Sequence, residues 1–185
     1  MFRAQSLFAS SRIGHARGVT AAAAPYARAI TRAVSAVATH TTTQHPLTSE
    51  RTDTNRVAVL VVASDRGMAG AYSASIIRET ERLVERLTAE GKEVALYAAG
   101  RRAIQYYTFR GRELAGTWSY GSDAPNAEVA GEIAETLLGA FLAPAAEGGV
   151  SELHIVYTQF VKSQLPPHAT PDLRERAGER ARKTR

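Results

Sequence analysis

The chain has 185 residues, 44% of them hydrophobic and 22% charged, a net charge of +5 and no cysteine. That length suits one domain with a real core, and the missing cysteines exclude disulfides, thiolate metal sites and cysteine nucleophiles. No apolar run approaches the roughly 20 residues that span a bilayer. The positive balance lies at the two ends: residues 1–56 carry seven basic and two acidic side chains, residues 57–170 ten and thirteen, and residues 171–185 six and three. A mildly acidic centre argues against a nucleic-acid-binding face, whose footprint is a basic stripe.

In chain order, residues 3–39 come first, rich in Ala and Arg, with Gly14, Gly18 and Pro25 the main helix breakers. Leu7, Phe8, Val19, Tyr26, Ile30, Val34 and Val37 recur at near-helical intervals, which predicts a long helix with an apolar stripe for a partner helix. Pro25 is expected to bend or interrupt it, because it lacks an amide donor. The same composition, with no acidic residue before Glu50, also fits a mitochondrial transit peptide. A polar stretch containing Pro46 then reads as a linker.

Val57–Ala63 is a continuous apolar run rich in β-branched residues, the signature of a strand buried on both faces. It breaks at Ser64-Asp65-Arg66-Gly67, where Gly67 and Gly70 give the backbone freedom to turn. The spacing G-M-A-G lacks the third glycine of a dinucleotide fingerprint, and Ala71-Tyr72 stands where a P-loop carries Lys-Ser or Lys-Thr. The exposed helix N-terminus could attract an anion; the plainer reading is a tight connection in which Asp65 or Ser64 caps the following helix. That helix spans about Ser73–Ala89, with Ile76, Ile77, Thr80, Leu83, Val84 and Leu87 on one stripe and Gly91 suited to the left-handed stop.

A strand over Glu93–Ala99, a short helix over Arg101–Phe109, a strand around Leu114–Trp118, a helix over Asn126–Leu142 and a strand over Leu153–Thr158 complete the pattern. Strands alternating with helices predict an α/β fold, a Rossmann-like domain with a mainly parallel sheet behind a long N-terminal helix. No catalytic constellation stands out. His15, His40, His45, His154 and His168 have no metal-ligand spacing, and His154 reads as a packed, hydrogen-bonded strand residue. Asp65 could serve as a base at a strand end, but no nucleophile is apparent beside it. Trp118 and the tyrosines read as core and rim packing, and Arg101 and Arg102 as a solvated helix start or part of a subunit interface.

The segment SDRGMAGAYSASIIR resembles the S-D-R-G-L-x-G-x-Y-N stretch of the γ subunit of F-type ATP synthases. Collinear segments extend the likeness. Ala4–Ile13, Pro25-Tyr26-Ala27 and Ile30-Thr31-Arg32 resemble the family's N-terminal helix, and His45-Pro46-Leu47 the connection after it. Gly100-Arg101-Arg102-Ala103 with Tyr106-Tyr107 is similar to its G-R-K-A-x-x-Y-Y element, and Ala130–Phe141 and Glu152–Phe160 to a later helix and strand. The residues on these motifs are Ser64, Asp65, Arg66, Gly67, Gly70, Tyr72, Gly100, Arg101 and Tyr157. The likeness covers about residues 4–164 and is strongest to γ subunits of high-GC Gram-positive bacteria.

The resemblance implies a rotor subunit without catalytic residues, metal or cofactor of its own. Two long helices would pair as a shaft inside a hexamer of α and β subunits, and the Rossmann-like domain would contact the ε subunit and the c-ring. It implies ATP synthesis coupled to hydrogen ion transport, at the cytoplasmic face of the bacterial plasma membrane. The matching division is a shaft helix at 1–43, a linker at 44–56, the globular domain at 57–164 and a basic tail at 165–185. The first turns of the family's N-terminal helix are missing, and the likeness fades near Gln164. Pro166, Pro167, Pro171 and an Arg-rich run follow, expected to be disordered. The expectation is a truncated or frame-shifted copy lacking the second shaft helix. The alternative is a Rossmann-like nucleotide- or phosphate-binding enzyme centred on Ser64–Gly70.

Overall fold

The computed structural model describes residues 18–36, 50–67, 69–121 and 127–158, and the chain divides into two compact units, Met1–Ser49 and Glu50–Arg185. In the first unit, residues 18–36 form one helix, α1, running through Pro25 without interruption. Of the expected bend or interruption, the interruption does not occur. Proline removes a single amide here, and alanine, the strongest helix former, surrounds it at 21–24 and 27. Val19, Tyr26, Ile30 and Val34 line one stripe of α1, each at least 46% exposed.

The second unit is an α/β domain. Its elements are β1 (Arg56–Val62), α2 (Tyr72–Ala89), β2 (Glu93–Ala99), α3 (Arg101–Phe109), β3 (Gly116–Trp118), α4 (Ala127–Leu142), a 3-10 turn at Ala145–Glu147 and β4 (Glu152–Val156). The four strands run in the order β3-β2-β1-β4, every neighbouring pair parallel. The expected mainly parallel sheet is therefore wholly parallel among the described residues, with Val59 opposite both Leu96 and His154.

Strand residues alternate between two cores. Val57, Val59, Val61, Leu96 and Ala98 pack under α2 and α3 against Ile76, Ile77, Val84, Leu87, Ala103 and Tyr107. Ala58, Leu60, Ala95, Tyr97 and Ala99 face the other way, against Leu137 of α4 and Val150. Both faces of β1 are thus dry, which explains its unbroken apolar run. Burying each such valine or leucine contributes about 1.5–3 kcal/mol. The expected stripe of α2 is buried at Ile76, Ile77, Thr80, Val84 and Leu87, with Leu83 packed against its margin. Thr80 is completely buried, and its hydroxyl donates to the Ile76 carbonyl.

Helix α2 stops as expected. Gly91 takes φ +80, its amide donates to Thr88 and that of Lys92 to Leu87, the paired bonds of a Schellman stop. The end of α4 is held differently: the Arg51 guanidinium donates to the carbonyls of Phe141 at 2.7 Å and Ala143 at 2.9 Å while pairing with Asp53 at 2.7 Å. The tail expected at 165–185, the histidines at 15, 40, 45 and 168, and the linker at 44–49 lie outside the described residues.

Candidate functional site

Parallel strands deliver their carboxyl ends to one edge, where the motif residues collect. The chain leaves β1 through Ala63, whose amide donates to Ala99, and enters the turn at Ser64. Asp65 reaches across to the next crossover. One of its carboxylate oxygens accepts the Arg101 amide at 2.8 Å, and the other accepts the Gly121 amide at 2.9 Å. Asp65 therefore caps α3 and ties the turn after β1 to the turn after β3. Helix α2 has no side-chain cap, so the expected capping by Asp65 or Ser64 is corrected. The Asp65 carboxylate is committed to the neighbouring helix, and the Ser64 hydroxyl bonds the Arg66 carbonyl and the Ser73 hydroxyl.

Burial pushes the Asp65 carboxyl up. The amides of Arg101, Gly121 and Tyr120 and the charge of Arg101 outweigh that, holding it below the ordinary aspartate range. An ionised carboxylate with both oxygens on main-chain amides fixes a turn; as a proton acceptor it is already engaged. The α3 N-terminus, where an anion would otherwise be attracted, is answered by this side chain.

Gly100 lets the two crossovers meet. Its φ is +100, and a Cβ there would collide with the Ala63 carbonyl oxygen, so no other residue fits. Gly70 also takes a positive φ of +57. Gly67 does not; a Cβ there would lie 3.3 Å from the Arg102 guanidinium, so its smallness admits that side chain.

The sheet reverses its order of filling between β1 and β4, the position at which doubly wound folds usually open a ligand crevice. Here Tyr72, the first residue of α2, stands at that position. Its hydroxyl donates to the Val62 carbonyl at the end of β1, at 3.4 Å, and its side chain also meets Thr158 just beyond β4. Burial raises the Tyr72 phenol, against the lowering contact with Thr158. Burial, with Tyr72 and Asp65 facing it, pushes the Tyr120 phenol up to about 12. The structure thus brings together Ser64, Asp65, Tyr72, Gly100 and Arg101. Tyr157 does not join them and is 61% exposed after β4.

Open space at this edge lies beside α3, against the turn after β1 and, further along, against α2. A shallow hollow of about 450 Å³ is lined by Asp65, Arg66, Gly67, Arg101, Arg102 and Gln105, and it shares Arg66, Gly67, Arg102 and Gln105 with a larger groove of about 990 Å³. Among the described residues no cluster of His, Asp and Glu could hold a metal ion, and no helix is long and apolar enough to cross a membrane. His154 meets Glu152 at 2.8 Å, the hydrogen-bonded strand residue the sequence suggests.

Arg51 and the Lys92–Glu152 pair were not visible in the sequence. Arg51 sits in a polar linker and Lys92 just past a helix stop, and neither carries a motif. Their partners lie 90 and 60 positions away.

Together these features define a doubly wound α/β domain of Rossmann type, braced at its switch point by its own side chains. The family model described as ATP synthase matches residues 1–170. The chain is 63% identical to the ATP synthase gamma chain of Beutenbergia cavernae over 168 residues, which is 90% of this chain and 57% of that one. It is 53% identical to the ATP synthase gamma chain of Pseudarthrobacter chlorophenolicus over 170 residues, 92% of this chain and 57% of that one. For that of Micrococcus luteus the figures are 51% over 161 residues, 87% and 54%. The chain belongs to the ATP synthase γ family, and it spans a little over half the length of these curated relatives.

Proposed function

We propose that the chain serves as a γ-type central-stalk element of an F-type ATP synthase, a non-catalytic part of the machine that couples hydrogen ion transport to ATP synthesis. The observation that carries this reading is the 63% identity to a relative named ATP synthase gamma chain, across 90% of the chain. Helix α1 would be a shaft helix, its stripe of Val19, Tyr26, Ile30 and Val34 seated on a partner helix. Its arginines at 28 and 32 project from the opposite face, roughly half a turn away. The α/β unit would sit at the membrane end of the stalk, against the ε subunit and the c-ring.

The physical requirement on such a part is stiffness together with unequal contacts to the states of an α/β hexamer. Only a difference in binding can shift a conformational equilibrium. Nucleotide chemistry would stay on the α and β subunits, and attachment to the cytoplasmic face of the plasma membrane would be peripheral, through the complex. The motif residues Ser64, Asp65, Tyr72, Gly100 and Arg101 would then keep the domain's membrane-end turns rigid. A nucleotide-binding enzyme has less support, since Tyr72 occupies the switch point and Asp65 answers the α3 amides. Mitochondrial import is weakened as an alternative by bacterial relatives that match the same N-terminal stretch.

The test is co-purification of the tagged chain with α, β and ε subunits, scored for ATPase activity. Recovery of an active hexamer supports the reading. Recovery of ε alone would confine it to the α/β unit, and recovery of neither from a folded chain would overturn it.

A further inference from the structure

The groove of about 990 Å³ between α2 and α3 begins at Ser64 and Ser73 of the turn, but its outer walls on α2 and α3 take no part in bracing the switch point. One wall is the face of α3 that carries Arg102, Tyr106 and Phe109, spaced at helical intervals; the other is the face of α2 that carries Ile77 and Arg78. Phe109 is 93% exposed, an aromatic ring with almost all its surface in water at the end of a helix. Ile77 and Tyr106 continue that apolar surface inward, while Arg78 and Arg102 flank it without an acidic partner among the described residues. Arg66 lines the same groove, and Arg110, outside its lining, lies 4.9 Å above the Tyr106 ring. The one acidic lining residue, Glu81, is turned to Arg112 at 3.6 Å. An apolar floor flanked by Arg78 and Arg102 is complementary to a segment of the opposite sign.

We propose that this groove docks an acidic amphipathic segment of a protein partner, an apolar side chain seated on Tyr106, Phe109 and Ile77 and carboxylates against Arg78 and Arg102. The nine residues of α3 give the wall a length of roughly 13 Å, enough for about two turns of a docked helix presenting anchors at i, i+3 or i+4 and i+7. The aromatic ring supplies a desolvated anchor and the arginines set the sign and orientation of the partner. This inference does not depend on the rotor reading. It concerns a surface of the α/β unit, and the co-purification test above leaves it untouched.

The experiment uses the full chain and a short fluorescein-labelled helical peptide of leucine and glutamate, followed by fluorescence anisotropy. A matched peptide with lysine in place of glutamate, and inorganic phosphate as competitor, are the controls. Saturable binding of the acidic peptide that weakens with added salt is expected, with little binding of the lysine peptide. Phe109→Ser, and separately Arg78→Glu with Arg102→Glu, are each expected to weaken it about tenfold. These side chains are exposed, so the circular dichroism spectrum should not change; if Phe109→Ser fails to fold, the arginine pair carries the test. Equal binding of the two peptides, indifference to both sets of substitutions, full competition by phosphate, or no saturable binding would each overturn the proposal. Competition by phosphate would reassign the arginines to a small-anion site.

Discussion

At Gly100 the main chain needs both a left-handed conformation and the absence of a side chain, because the Ala63 carbonyl occupies the space a Cβ would take. Gly91 also has φ +80 but faces open space. The two positions separate backbone strain from collision. Gly91→Ala is expected to cost about 1 kcal/mol, the strain alone, and Gly100→Ala about 3 kcal/mol or more, since overpacking against a rigid carbonyl adds to it. Urea denaturation of the two variants checks this, and equal losses would mean the crossovers do not meet as described. Asp65→Ala removes the cap of α3 and is expected to cost about 1 kcal/mol by the same measurement.

Among the helices of the α/β unit, α4 is the most lightly anchored. It buries only Leu137, has no basic residue in its last turn, and leaves Leu138 and Leu142 exposed at 44% and 51%. The Arg51 guanidinium stands in for the missing C-terminal cation by bonding the carbonyls of Phe141 and Ala143. Arg51→Ala is therefore expected to speed amide hydrogen exchange in the last turn of α4 while β1 and β2 keep their protection. Uniform acceleration across the domain would show that Arg51 acts on global stability instead. Strand β4 forms one edge of the described sheet and exposes Leu153 and Ile155 on one face, with Tyr157 exposed just beyond it. An apolar edge of this kind promotes pairing between chains. Ile155→Lys is expected to reduce light scattering on concentration with little change in the urea midpoint, and unchanged scattering would locate any association elsewhere.

For the whole molecule, the link between the α2 stop and the far edge strand is electrostatic. Lys92 meets Glu152 at 2.6 Å, and the same carboxylate meets His154. The Lys92 bond lowers the Glu152 carboxyl, burial opposes it, and His154 adds to the lowering. A carboxyl depressed in the folded state stabilises above its unfolded pKa of about 4.3, and that contribution disappears as pH falls through the lower folded value. The Tm difference between the parent and Glu152→Gln is thus expected to be constant near neutrality and to shrink below about pH 4. A difference independent of pH would mean the pair contributes nothing through its charge. The Lys92 ammonium is raised chiefly by the same bond, so its share is present below its unfolded pKa and is lost as pH rises through the folded value.

Local and periodic signals were legible in the sequence because they act over a few residues. The apolar run of β1, the stripe of α2, the Gly91 stop and the bounds of β2 and α3 depend on side-chain period and on turn chemistry, and the structure reproduces them. The strand order, the two-sided core and the roles of individual motif residues depend on segments far apart in the chain. Asp65 was legible as a turn residue, yet which helix it caps was decided by Gly100, 35 positions later, allowing the α3 crossover to approach the β1 turn. Tyr72 read as part of a motif, and only the placement of β4 beside β1 put its ring at the switch point. Pro25 shows the reverse: a strong local signal for a break yielded to the helix-forming residues around it. By itself the sequence determined which segments become strand or helix and which faces are apolar, because those are short-range properties. The tertiary structure alone decided which polar groups meet, because hydrogen bonds across 36 to 99 positions have no local trace.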